Sequence, residues 1–155
     1  MPDPTNSLRL AARDESDLTV FGTFLQDALV PIGDIAWLKN ENSLALAVNR
    51  FMWELPEQIA ENSPLYYRTH SLLRIEHVIA VKTKGLDLGK RDQFLSIMSL
   101  QAFDGGIDIL FAEGKTIRAE TENFNVILAD MGQPWPTRWQ PNHPEKIPLR
   151  ETRYD

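Results

Sequence analysis

The sequence contains no cysteine. Disulfides, thiolate nucleophiles, thiolate zinc sites and iron–sulfur clusters are therefore excluded. Basic residues are in the minority, with 16 Lys+Arg against 22 Asp+Glu and a formal charge of −6. A nucleic-acid binder neutralises phosphates with a basic face, so this balance argues against that class of partner. No apolar run approaches the ~20 residues of a membrane-spanning helix. The polar start Met1-Pro2-Asp3-Pro4-Thr5-Asn6-Ser7 does not read as a signal peptide. These absences predict a cytoplasmic protein with no membrane contact. Histidine is scarce as well: His70, His77 and His143 lie in separate segments with no pair at ligand spacing. The carboxylates are scattered, so no metal and no cofactor is expected. What is present is 155 residues, 43% hydrophobic and 25% charged, the make-up of one globular domain with a proper core.

The chain divides into a loose leader (1–7), a single α+β domain (8–132) and a C-terminal arm (133–155) holding five of the ten prolines. Leu8 to Ala12 is a short β-like run. Asp14 has the character of a helix N-cap, with Glu15 and Asp17 in the first turn. Leu18, Phe21, Leu25 and Ala28 follow at helical spacing, with Phe24 widening the stripe. From about Ala28 to Thr121 the period becomes two. Leu29–Ile32 is extended, with Pro31 suited to an edge or bulge. Asp34–Lys39 and Ser43–Phe51 form a hairpin around Asn40-Glu41-Asn42, with Leu44, Leu46 and Val48 inward. Residues 54–64 are a polar break. Tyr66–Leu73 and Arg74–Thr83 are extended, and the second places Ile75, His77 and Ile79 inward. Phe94–Phe103 is apolar on both faces, the mark of a central strand. Asp104-Gly105-Gly106 is a turn, Ile107, Ile109 and Phe111 alternate, and Glu113-Gly114 is a hairpin turn into Ile117, Ala119 and Thr121. Phe124, Ile127, Leu128 and Met131 at i, i+3, i+4 and i+7 then predict a second helix that stops at Gly132. Short hairpin links predict a mainly antiparallel bent sheet or partial barrel, with an N-terminal helix, a C-terminal helix and the Pro/Trp-rich arm. The order resembles the pleckstrin-homology-like roll, a likeness of topology that carries no function.

Few residues carry a chemical signal. Gly85-Leu-Asp-Leu-Gly89-Lys90-Arg91 is one residue too short for a phosphate loop, and Arg91 stands where magnesium needs Ser or Thr. It reads as a solvated turn with a basic tip. No nucleophile elbow, dinucleotide fingerprint or paired-histidine helix is present. Asn49 and Arg50 emerge polar from an apolar strand, and Arg50 has two options: an anion, or Glu54. Trp53 follows on the same stretch. In the arm, Trp135 and Trp139 stand among prolines as rigid anchors for their own domain or for a second chain, or as stacking surfaces for a ligand, with Arg138 between them and His143 beyond.

Six ordered motifs carry a resemblance: Gly33-Asp-Ile-Ala-Trp-Leu38, Asn49-Arg-Phe-Met-Trp53, Ile75-Glu-His-Val78, Lys84-Gly-Leu-Asp87, Leu128-Ala-Asp-Met-Gly132, and Trp135-Pro-Thr-Arg138 with His143-Pro144. From about Leu8 to Pro144 the chain resembles the family catalogued as domain of unknown function 2948. That resemblance implies a bacterial, single-domain, cytoplasmic protein and supplies no activity. His77 stands where family members tend to have Arg, which weakens a catalytic role there. Two functions stay open. One is a non-catalytic binding or scaffolding module acting through protein contacts, with an unknown partner or a second copy of itself. The other is a small enzyme or ligand-binding domain for an anionic metabolite, using Arg50, Arg138 and His143.

Overall fold

The computed structural model describes residues 7–141. The leader to Asn6 and the arm from Asn142, His143 included, lie outside the described residues.

Strand β1 (Arg9–Ala12) leads into the single described α-helix, α1 (Glu15–Leu25). The Asp14 side chain accepts a hydrogen bond from the Asp17 amide at 2.8 Å, satisfying one of the orphan donors at the helix start. Leu18, Phe21 and Leu25 are its buried face. The strands that follow are β2 (Leu29–Pro31), β3 (Ile35–Leu38), β4 (Ser43–Phe51), β5 (Gln58–Ala60), β6 (Ser63–Glu76), β7 (Ala80–Lys84), β8 (Phe94–Phe103), β9 (Gly106–Phe111), β10 (Thr116–Glu120) and β11 (Asn125–Thr137). They hydrogen-bond in the order β1-β11-β6-β4-β2-β8-β9-β10-β7, with β3 on β4 and β5 on β6, and every pairing is antiparallel. The sheet curls so that Leu46, Leu73 and Leu128 from one half meet Ile97, Ile109 and Ile117 from the other in one core. Helix α1 packs on β8, β1 and β4.

The expected C-terminal helix is not there; the stretch from Asn125 to Thr137 is β11. The fold is therefore an antiparallel sheet with one described helix, not a sheet with a helix at each end. With the second helix goes the cap that a pleckstrin-homology-like roll needs. The helical spacing of Phe124, Ile127, Leu128 and Met131 competes with a period of two through Val126, Leu128 and Asp130. The second period wins because β11 lies between β1 and β6, bonded to both, and Val126 and Leu128 are fully buried. Gly132, at φ +71°, sits inside the register shift between Met131 and Trp135 and is therefore part of a bulge in the strand. Beyond it Trp135, Pro136 and Thr137 pair with Arg68, Tyr67 and Tyr66, so the first residues of the arm belong to the sheet.

A second correction concerns the end of β6. The alternation predicts His77 and Ile79 inward, yet His77 is exposed and Ile79 is 68% exposed, while Val78 is fully buried. The cause is a left-handed backbone at His77, φ +63°, which rotates the alternation by one residue. Replacing Val78 with alanine should therefore cost about 1.5–3 kcal/mol, the value of a buried aliphatic side chain. The Ile79→Ala change should stay within about 0.5 kcal/mol. Urea denaturation of the two variants checks the register directly, since the opposite ranking would restore Ile79 to the core. The polar break also holds more than expected: β5 and β6 form a hairpin whose turn residues, Glu61 and Asn62, both have positive φ.

Candidate functional site

Arg50 lies at the centre of the polar interior. It is an inward position of β4, next to Ser71 of β6 and Asp130 of β11, and its exposure is 0%. Its Nη1 and Nη2 donate to the two Glu54 oxygens at 2.9 and 2.7 Å. Its Nε and Nη2 donate to the two Asp130 oxygens, both at 3.1 Å, and Nε also reaches Ser71 Oγ. Ser71 Oγ donates to Asp130 at 2.6 Å, and the Leu8 amide donates to the other Asp130 oxygen at 2.9 Å. Burial alone would pull the guanidinium pKa down, but the hydrogen bonds to Glu54 and Asp130 outweigh it and hold the group above its ordinary value. Of the two options for Arg50, an anion or Glu54, the structure shows the ion pair with Glu54 and adds Asp130. The guanidinium is fully buried and lies 5.9 Å from the centre of the Phe24 ring. The arrangement ties the start of β1 to β4, β6 and β11.

The neighbouring candidates are also engaged. Asn49 accepts from Arg68 Nε at 2.6 Å through its side chain and from Arg68 Nη2 at 2.9 Å through its carbonyl. Burial lowers the pKa of Arg68, and the charge of Asp27 offsets part of that. Trp53 donates its indole N–H to the Gln26 carbonyl at 2.9 Å and packs on Phe51. Trp135 is half-buried and lies against the His70 ring, with centroids 4.7 Å apart. Arg138 directs Nη1 at the carbonyls of Ala60, Ser63 and Pro64, clamping the β5–β6 hairpin. Trp139 is 80% exposed; it lines a surface cleft with Leu29, Arg68 and Ser96 and is not a buried anchor. Arg50 and Arg138 serve separate structural networks, and His143 lies outside the described residues.

A different place has the shape of a binding site. Among the described residues the sheet is open between β3 and β7, since β3 pairs only with β4 and β7 only with β10. A cavity of about 400 Å³ opens there. Ile35 and Trp37 of β3 form one wall and Val81 and Thr83 of β7 the other, with Leu44 and Ile117 below. The β7–β8 connection supplies Leu86, Leu88 and Arg91 at the rim. Among the described residues that line it, Arg91 carries the only charge. Its loop is stitched to the turn before β3: the Gly33 amide donates to the Arg91 carbonyl at 2.7 Å, Arg91 Nη2 donates to the Gly33 carbonyl at 3.1 Å, and the Ile32 amide donates to the Gln93 carbonyl at 2.9 Å. A Cβ at residue 33 would stand 3.0 Å from the Arg91 carbonyl oxygen, so glycine is what permits the close approach. Sequence reasoning misses this site. The available signal was Leu86 and Leu88, two large apolar residues in an otherwise charged connection.

Among the described residues no cluster of three His, Asp or Glu is placed to hold a metal ion, and no helix is long and apolar enough to cross a membrane. No curated protein and no solved structure matches the chain. The family described as "Protein of unknown function (DUF2948)" matches residues 8–143. That span takes in every described strand, the helix and the cavity, and the chain belongs to the DUF2948 family.

Proposed function

We propose that this protein is a non-catalytic binding module, and that the cavity between β3 and β7 receives a small guest with an apolar body. The observation that carries this reading is an apolar cavity placed where the sheet leaves two strand edges unpaired. Its volume, about 400 Å³, falls within the range of small-molecule sites. One benzene occupies an engineered cavity of roughly 150 Å³, so the space suits a guest of about a dozen non-hydrogen atoms. Each methylene moved from water to the cavity contributes ~0.8 kcal/mol before ordering costs are subtracted. The candidate catalytic groups are absorbed in structure: Arg50 in its ion pairs and Arg138 in its carbonyl clamp.

The test is an NMR titration of the full chain with 1-octanol, followed at the indole N–H of Trp37. A saturable shift is expected, and it should vanish in a Thr83→Trp variant that fills the cavity. Thr83 is exposed, so that variant should keep its melting temperature. Absence of a saturable shift at Trp37, or a shift that survives the filling, would defeat the reading. The unpaired edges of β3 and β7 favour a second reading through protein contacts, in which an extended partner segment joins the sheet. Such a segment would protect β3 and β7 amides from exchange, which octanol would not.

A further inference from the structure

We infer that the guest is a monocarboxylate, with its chain in the cavity and its head group on Arg91; this rests on the binding reading above. The cavity is amphipathic in one direction only. Its buried lining is apolar, through Leu44, Ile117 and the half-buried Trp37, and the single charge among the described lining residues, Arg91, is exposed. A guest that satisfies both must carry an apolar tail and one negative head.

Arg91 is prepared for this role. The backbone bond from Gly33 and the side-chain bond to the Gly33 carbonyl fix where the guanidinium sits. That side-chain bond uses one of the two Nη2 hydrogens, and the other forms a two-pronged donor edge with its neighbour on Nε or Nη1. A planar fork of this kind matches the two oxygens of a carboxylate. With one cation among the described lining residues, the site balances a single negative charge and leaves a phosphate dianion half-compensated. The nearby Asp87 carboxylate is turned to its own loop, accepting from the Gly89 amide at 3.1 Å. Leu88, 58% exposed and lining the cavity, gains cover when a chain lies beneath it.

The experiment compares three eight-carbon probes on the full-length protein by calorimetry and by the Trp37 indole resonance: octanoate, 1-octanol and octylammonium. Octanoate should bind about tenfold more tightly than octanol, the effect of a charge-assisted hydrogen bond, and octylammonium should be weakest. In an Arg91→Gln variant the preference for octanoate should disappear while octanol still gives a saturable shift at Trp37, which shows that the cavity itself is intact. Arg91→Lys should restore part of the preference. If octanol and octanoate bind the unaltered protein equally, the carboxylate inference falls and the cavity reading stands. If Arg91→Gln keeps the preference, Arg91 is not the receptor and the inference falls. If no probe moves Trp37, both fall together.

Discussion

Substitution of Arg50 by alanine is expected to destabilise the protein by about 3–5 kcal/mol, the cost of stranding one member of a buried ion pair. Asp130 is the reason. Its side chain is 4% exposed, and without Arg50 it keeps only Ser71 Oγ–H and the Leu8 amide as donors. Glu54 is a quarter exposed and can turn to water, so it contributes less. The double variant Arg50→Met/Asp130→Asn should recover part of the loss. It removes both charges together, but the side-chain amide that replaces the Asp130 carboxylate keeps one oxygen, enough for Ser71 Oγ–H or the Leu8 amide and not for both. A double-mutant cycle should then give a coupling of about 1.5 kcal/mol or more between positions 50 and 130. Urea denaturation measures Arg50→Ala and, for the cycle, Arg50→Met, Asp130→Asn and their double variant. A loss below about 1 kcal/mol for Arg50→Ala would mean that Asp130 finds water, and that the junction of β1, β4, β6 and β11 is looser than described.

Phe21→Ala should be of similar size, about 3–5 kcal/mol, for a different reason. Phe21 is one of the largest fully buried side chains, and it lies at the middle of the buried face of α1, between Leu18 and Leu25. An eleven-residue helix is marginal in water by itself, so its order depends on that face. Truncating the central side chain leaves a cavity under the helix and weakens its hold on β8. Denaturant midpoints give the size of the loss, and amide exchange should show α1 opening before the sheet does. A loss near 1 kcal/mol with unchanged exchange in α1 would show that the caps and β1 hold the helix without its core contact.

The parts of this fold that could be read from the chain are those whose signals are local. The Asp14 cap, the helical stripe through Leu18, Phe21 and Leu25, and the alternation of Leu44, Leu46 and Val48 all act within a few residues, and each has its counterpart in the structure. The turns Asn40-Glu41-Asn42 and Asp104-Gly105 bounded their hairpins for the same reason. The failures are non-local or rest on a single backbone angle. Residues 124–131 satisfy two periods at once, and only the presence of β1 and β6 on either side decides between them. His77 shifts the register with no glycine to announce it, and Glu61-Asn62 makes a hairpin turn without the usual Asn-Gly. The ion network joins residues 80 apart in sequence, which no spacing rule reaches. The cavity is harder still, because it arises from two strands that do not pair with each other.

The most direct measurement of the proposed site is the set of NOEs between the octanoate chain and side-chain protons of the protein. Contacts are expected from the tail to Trp37, Leu44 and Ile117, and from the carbons next to the carboxylate to Leu88 and Arg91. Contacts instead to the exposed Phe94, Met98 or Trp139, with none to Trp37, would place the guest on the outer surface and contradict a binding site between β3 and β7.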